Sequence, residues 1–297
     1  MRDLLGLGDV SRPSYNPPAA GWWRWGLRAG AIVLAAIYLR NVELGSWQGL
    51  SELVHHGAAV GLDGYSYGSF LASYLMLAGL AVGAGACLLI ADGPAAVGLR
   101  PKVRWTGHAR TLTAMCVGPM VVTSLALAAF ILTWRLFGGQ VAQGLPFGPG
   151  APLWFIAAAS LLTAIGEETI LLAVIMRLLD YLPAGAGRVV GRTVGAIVIV
   201  AMIRLSYHSY QGLTALPDIL PPAVLIPIIY RRSGALVPIV IGHALIDFTG
   251  QFPIVARLVF YAVVVAAWMW AGKPFKEPVR VRDLAPRETR VLVEQTE

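Results

Sequence analysis

Eight apolar runs divide the sequence, at about 22–39, 69–91, 111–134, 153–179, 193–209, 216–230, 233–250 and 253–271. Most are long enough to cross the roughly 30 Å of hydrocarbon in a bilayer. With no water in that layer to satisfy backbone groups, such runs become helices. The expected fold is therefore all-α, a polytopic membrane helical bundle of about eight transmembrane helices. Composition supports this where it discriminates: 13% of the residues are charged, against about a quarter in soluble domains.

Lys and Arg orient the spans. Arg2, Arg12, Arg24 and Arg28 precede or open the first run; Arg100, Lys102, Arg104 and Arg110 lie between the second and third. Arg177, Arg188 and Arg192 follow the fourth, Arg231 and Arg232 the sixth, and six more lie after residue 271. The alternate connections hold only Arg40 and Arg135. Basic residues mark cytoplasmic loops, so both termini are expected in the cytoplasm. The formal charge of +7 is thus accounted for by a lipid bilayer partner, not by nucleic acid. The expected organisation is a short cytoplasmic tail over 1–21, one membrane domain over 22–271 and a cytoplasmic tail over 272–297. Neither a cleavable signal nor a lipidation cysteine is visible at the ends. Cys87 and Cys116 fall in apolar runs and read as small core residues. Loop charge of this kind suits a bacterial cell (inner) membrane as well as an organellar one.

Against that apolar background, the ionisable residues well inside the spans are Glu167, Glu168, Arg204, His208, His243, Asp247 and Arg257. A charge at a helix centre costs roughly 2.5–3.5 kcal/mol on insertion scales, so such residues face one another or a wet cavity. Arg204 and His208 are four apart and share a helix face, as do His243 and Asp247. Glu167 and Glu168 diverge by about 100°. Glu167 lies about 15 Å along its helix from Arg177, whereas His208 lies about 24 Å from Arg192. That mismatch calls for tilt or a later start to the fifth span.

Three readings fit these residues. The pairs can clamp helices together; they can form a proton or ion pathway, as carboxylate–histidine chains do in transporters; or they can hydrolyse a bond inside the membrane. In the last case a carboxylate and a histidine activate a water and a second histidine donates to an oxyanion. Glu167, His208 and His243 also form a possible zinc set, although the local H-E-x-x-H signature is absent. Arg257, near an outer helix end, fits a snorkelling role.

Three motifs carry a family resemblance. GEETILL supplies Glu167 and Glu168, RLSYHSYQG supplies His208, and GHALIDF supplies His243 and Asp247. In order and spacing they resemble the E-E-x-x-x-R, F-x-x-x-H and H-x-x-x-N/D motifs of the CAAX-prenyl-protease and bacteriocin-processing (CPBP, or Abi) family of intramembrane proteases. The resemblance covers about 150–250. It implies an intramembrane endopeptidase acting on a peptide or membrane-protein substrate. Glu167 and His208 would activate water, His243 and Asp247 would stabilise the oxyanion, and Glu168 would orient the site. It requires no cofactor, and leaves a divalent metal such as zinc open. Two positions depart from the pattern: Leu172 stands where the family keeps arginine, and Arg204 where it keeps phenylalanine. The expectation is that these changes compensate, with Arg204 reaching the glutamates from the neighbouring helix. The alternatives are a non-catalytic membrane scaffold with a degenerated site, or an ion-coupled transporter.

Overall fold

The run carrying Glu167 and Glu168 is the more deeply buried of the two long apolar helices among the described residues. In the computed structural model, residues 21–56, 66–99, 151–181, 189–208 and 216–250 are described, with 252, 253, 255, 256, 259, 260, 262 and 263. The run expected at 111–134, most of the last run including Arg257, and both tails lie outside the described residues. Those residues form six helices and no strand. They are α1 (Trp22–His56), α2 (Tyr67–Asp92), α3 (Leu153–Asp180), α4 (Val189–Tyr207), α5 (Leu216–Ser233) and α6 (Leu236–Gly250).

α2 and α3 are long and apolar enough to cross a membrane. They differ in surroundings: 28% of the most apolar window of α2 is buried, against 72% in α3. α3 is thus the central helix, packed on α2 and α6, while α4 packs on α5 and α1. Small residues let α1 approach α2 closely, with Ala31, Ala35, Ala81 and Ala84 all buried. α1 does not stop near residue 39 but continues through Arg40 and Glu43 to His56.

Within α3 the helix changes type. After Leu153–Glu168 the segment Thr169–Ile175 is π-helical, and the Met176 N–H donates to the Leu171 carbonyl five residues back. Wide turns of this kind are uncommon and concentrate at functional sites. Glu167 through Val174 are all buried, so this stretch meets protein on every side and not lipid.

α5 keeps its helix through Pro221, Pro222 and Pro227. It ends at Gly234, whose positive φ of 61° suits a residue without a Cβ. The Gly234 N–H donates to the Tyr230 carbonyl at 2.7 Å, and the Leu236 N–H to the Gly98 carbonyl at 3.0 Å.

At the end of α3 away from the glutamates lies a second charged cluster that charge counting does not reveal. Arg28 donates from Nη2 to Asp92 Oδ1 at 2.7 Å, Arg177 Nε lies 3.8 Å from Asp92 Oδ2, and the Tyr181 hydroxyl donates to that oxygen. Arg28 and Asp92 read as loop-bordering residues in the sequence, yet both are buried. The Arg28 guanidinium lies 4.7 Å from the Trp25 ring centre and 4.8 Å from that of Tyr181. Burial first, and then the Asp92 hydrogen bond, push the Tyr181 phenol up to about 12. Beside this cluster, Asp180 pairs with Arg231 at 2.7 Å and ties α3 to α5.

Candidate active site

Three helices deliver charged side chains to one place. Glu167 and Glu168 close the regular part of α3, where the backbone is about to widen. Arg204 and Tyr207 lie in the last turn of α4, with His208 the first residue beyond it, and His243 and Asp247 lie on α6. The four-residue spacings act as helical geometry requires, putting each pair on one face.

Glu168 is fully buried, and its Oε1 is the junction of the site. Arg204 Nη2 donates to it at 2.5 Å, and His243 Nδ1 lies 2.6 Å from it. A carboxylate that already holds a guanidinium only accepts, so His243 carries a proton on Nδ1 and turns Nε2 toward Glu167 and Asp247. Those distances are 4.0 Å to Glu167 Oε2 and 3.5 Å to Asp247 Oδ1. Glu167 Oε2 also accepts from the Tyr207 hydroxyl at 2.6 Å, lies 3.9 Å from His208 Nε2 and 3.8 Å from Arg204 Nε. The side chains of Asp247 and His208 are 31% and 20% exposed, while those of the two glutamates are at most 6% exposed. The site therefore has a closed side at Glu168 and an open side at Asp247.

All six residues singled out from the sequence motifs come together here. The depth mismatch between Glu167 and His208 is closed although α4 starts earlier than expected, at Val189. Two side chains several ångströms long span what remains. Leu172 is fully buried in the apolar core, and the guanidinium beside the glutamates is that of Arg204. Sequence reasoning missed Tyr207, which differs in nothing visible from other membrane tyrosines. It also missed Tyr38 of α1, whose hydroxyl packs on Gly166. A Cβ at 166 would lie 2.8 Å from it.

Zinc does not fit this arrangement. Zinc bonds of 2.0–2.2 Å place tetrahedral ligands about 3.4 Å apart. The two imidazole nitrogens stand 3.9 and 4.0 Å from Glu167 Oε2, and a guanidinium already supplies positive charge to that carboxylate. No group of three or more His, Cys, Asp or Glu among the described residues is arranged to hold a metal ion.

Residues 149–249 match the family described as Type II CAAX prenyl endopeptidase Rce1-like. This segment is an Rce1-like domain. It covers about a third of the chain and contains α3 to α6, hence every motif residue above. The family is one of intramembrane proteases with apolar helices, so an Rce1-like domain implies a protein or peptide substrate. α1 and α2 lie outside the Rce1-like segment. The curated proteins and the solved structures gave no match.

Proposed function

We propose that the chain is an intramembrane endopeptidase that cleaves a peptide or membrane-associated protein with a water activated by Glu167 and His208. We place it in a bundle of about eight spans with both ends cytoplasmic. The gap around Glu167 Oε2 supports this reading. His208 Nε2 and His243 Nε2 lie 3.9 and 4.0 Å from that oxygen, too far for a direct hydrogen bond. One water, at about 2.8 Å from each partner, bridges such a separation.

In this mechanism Glu167 takes the proton of the bridging water, with His208 holding the water in line. The hydroxide adds to the scissile carbonyl. His243, in its doubly protonated form, donates from Nε2 to the oxyanion. The proton held by Glu167 then passes to the leaving amine. Asp247 as a carboxylate only accepts, so it reaches the oxyanion through His243, by orienting and balancing that ring. Arg204 and Glu168 are positioning residues. The guanidinium fixes Glu168, and Glu168 fixes the His243 ring through Nδ1.

The test uses full-length protein in liposomes and a pool of quenched fluorescent peptides. Glu167→Gln and His208→Ala should each lower cleavage at least about 100-fold, the scale of lost general base catalysis. Variants that cut as fast as the parent would sink the proposal.

A further inference from the structure

We infer that α1, outside the Rce1-like segment, is a positioning element of the site: Ser46 and Glu43 hold the last turn of α4 so that Tyr207 and His208 face Glu167. The inference rests on the hydrolytic reading above.

Tyr207 is the last residue of α4. The last carbonyls of a helix have no partner within it and need one from elsewhere. Here the buried Ser46 hydroxyl, from α1, faces the Tyr207 carbonyl more closely than it faces the Val42 carbonyl of its own helix, which is 3.0 Å away. One residue earlier, the Ser206 hydroxyl donates to Glu43 Oε1. Two helical turns before Ser46, Tyr38 packs on Gly166, the residue preceding Glu167. α1 thus touches both helices that supply the water-binding gap, at the residues adjoining the gap.

The consequence follows from connectivity. Tyr207 is held at two points, its carbonyl by α1 and its hydroxyl by Glu167 at 2.6 Å. His208 comes next, where the helix has ended. Its ring packs on that of Tyr207, with centres 4.7 Å apart. His243, by contrast, sits within α6 and is fixed by Glu168. Releasing the α1 contacts should therefore loosen His208 and leave His243 in place.

Carbethoxylation by diethylpyrocarbonate, mapped by peptide mass spectrometry on the full chain in detergent, reads the two histidines separately. Ser46→Ala should speed modification of His208 about threefold to tenfold, the range for loss of one hydrogen bond to a local opening equilibrium. His243 should keep the parent rate. Glu43→Ala, on the exposed side, should give a smaller rise with the same selectivity and serves if Ser46→Ala does not fold. With any peptide the parent cleaves, kcat should fall and KM stay. An unchanged His208 rate, or an equal rise at both histidines, overturns the inference. A parent that cleaves nothing defeats the protease reading alone, because the histidine rates are measured without substrate.

Discussion

Replacement of Arg204 by leucine tests the reading of the site most directly. Arg204 and Glu168 are 2% and 0% exposed and meet at 2.5 Å. Leucine would leave the carboxylate with one partner, His243, since Glu168 Oε2 has no hydrogen-bond partner among the described residues. Removing one member of a buried ion pair costs about 3–5 kcal/mol, because the surviving charge is uncompensated. At roughly 2–4 °C per kcal/mol for a large domain, the melting temperature in detergent should fall by about 6–20 °C. Neutralising the survivor should then help. Glu168→Gln in the Arg204→Leu background should recover part of the loss, with a coupling of about 1–3 kcal/mol in the cycle. Restoring the family arrangement with Leu172→Arg in that background should also recover part, as residue 172 is buried one wide turn beyond the glutamates. If Arg204→Leu melts within about 2 °C of the parent, or the double variant falls by the sum of the singles, the pairing is not what holds Glu168.

Three further outcomes are expected. Gly166→Ala puts a Cβ 2.8 Å from Tyr38 Oη and 3.0 Å from Cε2; it should cost about 1–3 kcal/mol by thermal melting, and Tyr38→Phe should relieve only part. Cleavage should be unaffected by EDTA or phenanthroline; loss of activity reversed by added zinc would refute the metal-free account. Tyr181 holds its proton up to about 12 when folded, against about 10 in an unfolded chain. The unfolded chain then releases that proton first, so stability should decline as pH rises from 10 toward 12 and Tyr181→Phe should flatten the decline.

Residues 164–173 show how far the sequence could be read. Two carboxylates in an apolar run, with histidines at helical spacing elsewhere, were enough to collect Glu167, Glu168, Arg204, His208, His243 and Asp247, because unpaired charges in hydrocarbon must find one another. Position 204 was legible for the same reason. Tyr207, Tyr38 and Ser46 were not, since an uncharged polar group is cheap enough in a membrane helix to need no partner. The Arg28–Asp92 pair was not legible either, because a charge at a span boundary looks solvated whether it is or not. The π-helical turn left no trace, as TILLAVI is ordinary helix-forming sequence and only packing selects the wider turn.

That turn also sets a phase. Below it, α3 is anchored by Arg177 near Asp92 and by Asp180 on Arg231; above it stand the two glutamates. Each residue of an α-helix advances the chain by about 100°. The wide turn takes up one residue more than an ordinary one, so closing Thr169–Ile175 into regular α-helix with every residue kept would swing the glutamates by about that angle relative to the anchored end. Arg204 and the two histidines would then face the wrong side of α3. The direction in which the carboxylates point is thus fixed by the width of the turn, with no side chain of its own to mark it.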